Sequence, residues 1–198
     1  MTSASVFGAV ATVLIFFSQL YEIRSIFVAD PVTKQKTRPS RSTFWIWTVV
    51  QTMMVGSYLA TGETFAAGVG IAYAVTILAL AILSIRYGYS RWERLDSVCV
   101  FGMVVTVVLG LVFRSAMVIL VSAIVVDAIG CVPTIKKVWE DPGSESRWAW
   151  AVTVVACVVN IGAVEHWGAE SFLYLPYLLI VNSVITYGIW FSSKARRR

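Results

Sequence analysis

The sequence predicts an all-α integral membrane protein of seven transmembrane helices, arranged as two parallel three-helix repeats joined by an inverting linker helix. Composition is the first reason. Of 198 residues, 58% are hydrophobic and only 14% charged, where a soluble domain carries about a quarter charged. The second reason is seven continuous apolar runs, each long enough to cross a bilayer as a helix. The third is a motif, P-x3-[ST]-x-W-x-W, that occurs at Pro39–Trp47 and again at Pro142–Trp150. Tryptophan is rare, so two such matches at identical spacing point to duplication.

The runs are Val6–Phe27, Phe44–Ala60, Phe65–Ile85, Ser97–Phe113, Ala116–Ile135, Trp148–Val164 and Ser171–Phe191. A helix rising about 1.5 Å per residue needs roughly 20 residues to cross about 30 Å of hydrocarbon. Continuous runs lack the alternation of a β-barrel. The first run has no basic segment before it and exceeds a typical signal-peptide core, so it reads as a span.

Duplication extends beyond the tryptophans. Ile23–Pro31, IRSIFVADP, echoes Ile135–Pro142, IKKVWEDP, and Gly62-Glu63-Thr64-Phe65 leads into span three as Gly168–Phe172 leads into span seven. The expected units are residues 1–88, a linker span in 89–114, and 115–198 with a basic tail. One linking span makes both repeats run the same way, related by an axis along the membrane normal. A site near the midplane between them follows.

Basic residues orient the chain. Fifteen of the sixteen lysines and arginines fall on one side and only Arg114 on the other. The positive-inside rule then places the protein in the cell membrane, N-terminus outside and C-terminus cytoplasmic. The net charge of +5 thus suits an anionic inner leaflet, not nucleic acid. Glu63, Glu165, His166 and Glu170 fall on the outer side.

Polar groups within the spans are the candidates for function. Asp127 lies mid-span between VSAIVV and AIGC, where an acid costs about 2.5–3.5 kcal/mol to insert and should face a cavity or a partner. It reads either as a proton- or cation-binding carboxylate or as a packing contact. Asp127, Gly130, Cys131 and Thr134 share one helical face, and Gly130 and Pro133 would let the helix bend below the acid. Pro176 offers a second bend. Asn182, Thr186, Gln51 and Tyr73 complete the expected solute site. Glu22 is expected as an inner gate paired with Arg24 or a facing lysine, or else as a carboxylate snorkelling to the interface. Of each tryptophan pair, at most one ring can turn inwards; headgroup anchoring explains the rest.

A three-plus-one-plus-three chain of about 200 residues, with a proline motif where span five ends, resembles the PQ-loop superfamily. That group includes the SWEET sugar transporters, vitamin transporters of the PnuC type, lysosomal amino-acid exporters and the KDEL receptor. Pro133-Thr134-Ile135 stands where the family has Pro-Gln, and Tyr21-Glu22-Ile23 stands at the matching place without a proline. The resemblance implies substrate contact by an asparagine of span seven, which matches Asn182. Its counterpart in span three falls near Val75 or Thr76, so the asparagine pair is not reproduced.

Other chemistries find no footing. Cys99, Cys131 and Cys157 have no metal-ligand spacing and read as apolar fillers, His166 stands alone as a candidate ligand, and span seven lacks a lysine for a retinal Schiff base. No enzyme motif and no cofactor are expected. The functional expectation is a transporter or facilitator of a small polar solute working by alternating access, proton-coupled if Asp127 titrates. The alternative is a non-transporting receptor on the same fold. A monomer suffices for either, and a homo-oligomer is equally compatible.

Overall fold

The computed structural model describes residues 2–61, 64–89, 94–113, 116–164 and 167–191. Gly62, Glu63, Arg91, Arg114, Glu165, His166 and the basic tail lie outside the described residues. The described residues form seven α-helices: α1 Ser3–Phe27, α2 Arg41–Thr61, α3 Thr64–Tyr87, α4 Arg94–Phe113, α5 Ala116–Glu140, α6 Arg147–Ile161 and α7 Ala169–Phe191. A short 3₁₀ turn, Pro142–Ser144, joins α5 to α6. There is no strand among the described residues. Three stretches of the described residues are long and apolar enough to cross a bilayer, namely α1, residues 70–87 of α3 and residues 171–191 of α7.

Local chemistry sets the helix ends. Thr2 caps α1 by accepting from the Ser5 amide, and Ser146 caps α6 by accepting from the Ala149 amide. Each side chain satisfies a donor that has no partner within its own helix. Between α1 and α2, Asp30 accepts from the amides of Val32 and Thr33 and turns the chain. The same turn places Lys34 in the left-handed region at φ 57°.

Packing follows a paired pattern. Helix α3 lies against both α1 and α2, and α7 lies against both α5 and α6. Across the middle, α1 packs on α6 and α2 on α5, while α4 covers α5 and α2. Burial is inverted relative to a water-soluble helix. The buried stripe of α1 carries Ser18, Gln19, Glu22 and Ser25, whereas its exposed face carries Val13, Phe16, Phe17 and Leu20. Phe101 on α4 and Phe172 on α7 are 70% and 69% exposed. Such faces are of the kind that hydrocarbon can solvate.

The proline in α5 does not end the helix, which runs past the expected Ile135 to Glu140. Pro133 has no N–H for the carbonyl of Ile129, four residues back. That carbonyl faces the Cys99 thiol at 3.5 Å instead. The next carbonyl, of Gly130, accepts from Thr43 Oγ1 at 3.0 Å. Pro176 likewise lies within a continuous α7.

Gly130 sets how closely α5 approaches α2, because a Cβ there would meet Ile46 Cγ2 at 3.3 Å. Gly130→Leu should therefore destabilise the protein by about 1–3 kcal/mol, the cost of overpacking a filled contact. Gly130→Ala, whose single added carbon needs only a small shift of Ile46, should cost much less. Thermal unfolding in detergent compares the two; equal melting temperatures would contradict the contact.

Candidate functional site

Among the described residues, three chambers follow one another along the seam between α1–α3 on one side and α6, α7 and the turn before α6 on the other. The first, about 800 Å3 including its mouth, reaches the end of the bundle that holds Val164 and Ser171. Its polar lining comes from Gln51 on α2, Tyr73 on α3, Thr153 and Asn160 on α6, and Asn182 on α7. Gln51 donates to the hydroxyl of Tyr174 at 2.9 Å. Asn182 spends one amide proton on the Leu178 carbonyl at 2.7 Å. Thr153 Oγ1 lies 3.1 Å from Ser18 Oγ and so ties α6 to α1.

The second chamber, much smaller at about 260 Å3 including the open space at its edges, continues from the first through the shared walls of Tyr73 and Thr153. Phe44, Trp47, Trp150, Gln19, Ala149 and Glu22 complete it. Trp47 and Trp150, the second tryptophans of the repeated motif, meet edge to face with centroids 6.0 Å apart. Both are 6% exposed, while Trp45 and Trp148 face outwards. The motif thus delivers one ring from each copy to a common wall.

Glu22 is 3% exposed. Its carboxyl lies beside the Glu145 carboxyl and Lys137 and faces the Ser146 amide, and no donor among the described residues meets either oxygen at hydrogen-bond geometry. Trp47 Nε1 faces Cys131 and has no partner at that geometry among the described residues.

Below Glu22 the seam is shut. Lys137 on α5 forms an ion pair with Glu145, and both side chains are nearly or fully buried. Glu145 also accepts from Trp150 Nε1 at 3.2 Å. Lys137 donates in addition to the backbone carbonyl of Arg38 at 2.7 Å, and the Arg38 amide donates to the Ser144 carbonyl at 3.0 Å. Both backbone polar groups of Arg38, in the α1–α2 connection, are therefore held by residues 137–144. Beyond this latch lies the third chamber, about 650 Å3, lined by Tyr21, Arg24, Asp30, Gln35, Thr37 and Glu145 among others.

The expected site is only partly assembled. Gln51, Tyr73 and Asn182 line the first chamber. Asp127 does not line any of the three chambers. Instead it accepts from the Tyr177 hydroxyl and faces the Cys131 thiol at 3.5 Å, which ties α5 to α7. Thr186 donates to its own helix at the Asn182 carbonyl and is also outside the lining. Thr134 is buried against Thr43, 3.3 Å away. The expected pairing of Glu22 is corrected too. Arg24 sits over the Tyr21 ring, and the available lysine is committed to Glu145. Snorkelling is excluded by the burial of Glu22.

Sequence reasoning passed over Lys137 and Glu145. The signal was present, since Glu145 replaces Ser42 at the equivalent position of the repeated motif. Thr153 and Cys157, both lining the first chamber, carried no signal within an apolar run.

No family model, curated protein or solved structure matches the chain.

A buried pair that loses one partner leaves a charge stranded. Lys137→Met should destabilise the protein by about 3–5 kcal/mol. Adding Glu145→Gln should recover most of this, because the amide keeps an acceptor for Trp150 without a charge. Unfolding of the single and double variants checks it. A double variant no more stable than the single would contradict the latch.

Proposed function

We propose that this chain is a multi-pass membrane protein that carries a small polar solute through the seam between two three-helix repeats, by alternating access. The observation that carries the reading is the row of chambers: an open, largely apolar cavity with a few polar groups leads to a second chamber whose floor is held by Lys137, Glu145 and the Arg38 backbone.

Other features agree. If α1–α3 and α5–α7 are the repeats, α3 and α7 are equivalent, and the contacts α1–α6 and α2–α5 exchange under a two-fold axis. Such an axis along the membrane normal characterises parallel transporter repeats. Helix α4 is then the inverting linker. Apolar exposed faces and a polar interior suit seven helices in lipid. With the N-terminus outside, the first chamber opens outwards and the latch faces the cytoplasm, beside the basic loops. This is the arrangement of the PQ-loop superfamily. Asp127 then acts through the α5–α7 contact with Tyr177, and any proton coupling it provides is relayed through that contact.

The latched floor also favours a second reading. A receptor needs one mouth and a sealed end, and the same geometry supplies both. Movement of the ligand distinguishes the two functions.

The test is a thermal-shift screen of the detergent-purified protein with sugars, nucleosides, amino acids, vitamins and amines, followed by uptake into liposomes. A ligand at a hundred times its Kd stabilises by about 2.7 kcal/mol. The transport reading predicts a stabilising solute that is also taken up. Gln51→Leu or Asn182→Leu should each slow uptake on the order of tenfold, the effect of losing ~1.4 kcal/mol of solute contact. A ligand that stabilises but never crosses the bilayer would favour the receptor.

A further inference from the structure

We infer that the second chamber binds a small organic monocation, an ammonium group that pairs with Glu22 inside walls made by Phe44, Trp47, Tyr73 and Trp150. The inference deepens the proposed function by naming the charge and class of the solute, and for that it rests on the transport reading.

Charge is the first argument. Glu22 is 3% exposed and both of its oxygens lack a hydrogen-bond partner among the described residues. An ionised carboxylate in that setting is costly unless a cation meets it. The basic groups nearby are engaged elsewhere. Lys137 is matched by Glu145, Arg24 lies over Tyr21, and Arg147 lies over Trp190 with Asp30 at 3.9 Å. The Glu22 and Glu145 carboxyls share one lysine, so the cluster has room for one further positive charge, a proton or the ammonium of a solute.

The walls decide what kind of cation fits. Four of the eight residues lining the chamber are aromatic, and an aromatic ring attracts a cation placed against its face, most strongly when the site is dry. Metal ions need several oxygen, nitrogen or sulfur ligands. No group of three or more His, Cys, Asp or Glu that could hold a metal occurs among the described residues. An alkylammonium needs one counter-charge and apolar walls, and the chamber supplies both. The open space beside these side chains takes a group about the size of one water molecule, which suits the ammonium end of a solute, and the first chamber above it accommodates the rest.

The experiment uses ethylammonium and propylammonium as probes, with 1-propanol as the uncharged isostere of propylammonium. Binding to the purified protein is followed by calorimetry and by tryptophan fluorescence, since Trp47 and Trp150 form part of the wall. We expect saturable binding of both cations and at least about tenfold weaker binding of the alcohol. Glu22→Gln, checked for an intact fold by its melting transition, should weaken cation binding by a similar factor. The wild-type comparison needs no variant, so a Glu22→Gln protein that fails to fold leaves the test intact. Equal binding of propylammonium and its isostere, unchanged binding in folded Glu22→Gln, or no saturable binding of either cation would overturn the assignment. Uptake of a neutral solute without ammonium binding would overturn it while leaving transport standing; ammonium binding without uptake would do the reverse.

Discussion

A buried ion pair with a backbone attached holds this structure together where its two halves meet. Lys137 and Glu145 are close in sequence, and on their own they would merely staple the turn between α5 and α6. By donating also to the carbonyl of Arg38, Lys137 extends the staple across the seam to the loop after α1. The Arg38 amide and the Ser144 carbonyl complete the clasp. Two charges removed from water demand good geometry and full satisfaction of their remaining donors and acceptors. Trp150 Nε1 and the Arg38 carbonyl meet much of that demand. The clasp is therefore specific, and it is also breakable, because every interaction in it has an alternative in water.

Above the clasp, the seam is held differently. Thr153 against Ser18, Thr43 against Thr134 and the Gly130 carbonyl, and Gln51 against Tyr174 are single hydrogen bonds between helices. Contacts of this kind are worth about 0.6 kcal/mol each in membrane bundles. Apolar side chains add to these bonds, because the buried clusters cross the same seam: Phe44 and Trp47 of α2 share one with Cys131, Val138 and Trp150, and Ala11 and Ile15 of α1 share another with Ala156. Asp127 belongs instead to the contact between α5 and α7, through Tyr177.

The helices were legible because apolar runs of the right length have few other fates in this composition. The expected end of span five at Ile135 fell short because the apolar run stops at Lys136 while the helix continues through polar residues to Glu140. Around Pro133, Cys99 of α4 faces the freed Ile129 carbonyl and Thr43 of α2 donates to the next one, of Gly130. Site residues were harder. Periodicity places Asp127, Gly130, Cys131 and Thr134 on one face, but it does not say which neighbour each side of that face meets. Gly130 and Thr134 meet α2, whereas Asp127 meets α7. Glu22 was recognised as important and assigned the wrong partner. The lysine it was expected to meet has a nearer carboxylate, Glu145, at the motif position where the first repeat has Ser42. Comparing the two copies position by position, including their differences, exposes that substitution.

Sidedness of access tests the central claim most directly. In a background with Cys99, Cys131 and Cys157 replaced by alanine, single cysteines would be placed at Asn160, in the first chamber, and at Gln35, in the third. Each would be reacted with a membrane-impermeant maleimide from either face of the membrane. The account predicts that Asn160→Cys is modified only from the side of the N-terminus and Gln35→Cys only from the opposite side, with the clasp between them. Modification of both from one side, or of Asn160→Cys from the side of the basic loops, would contradict it.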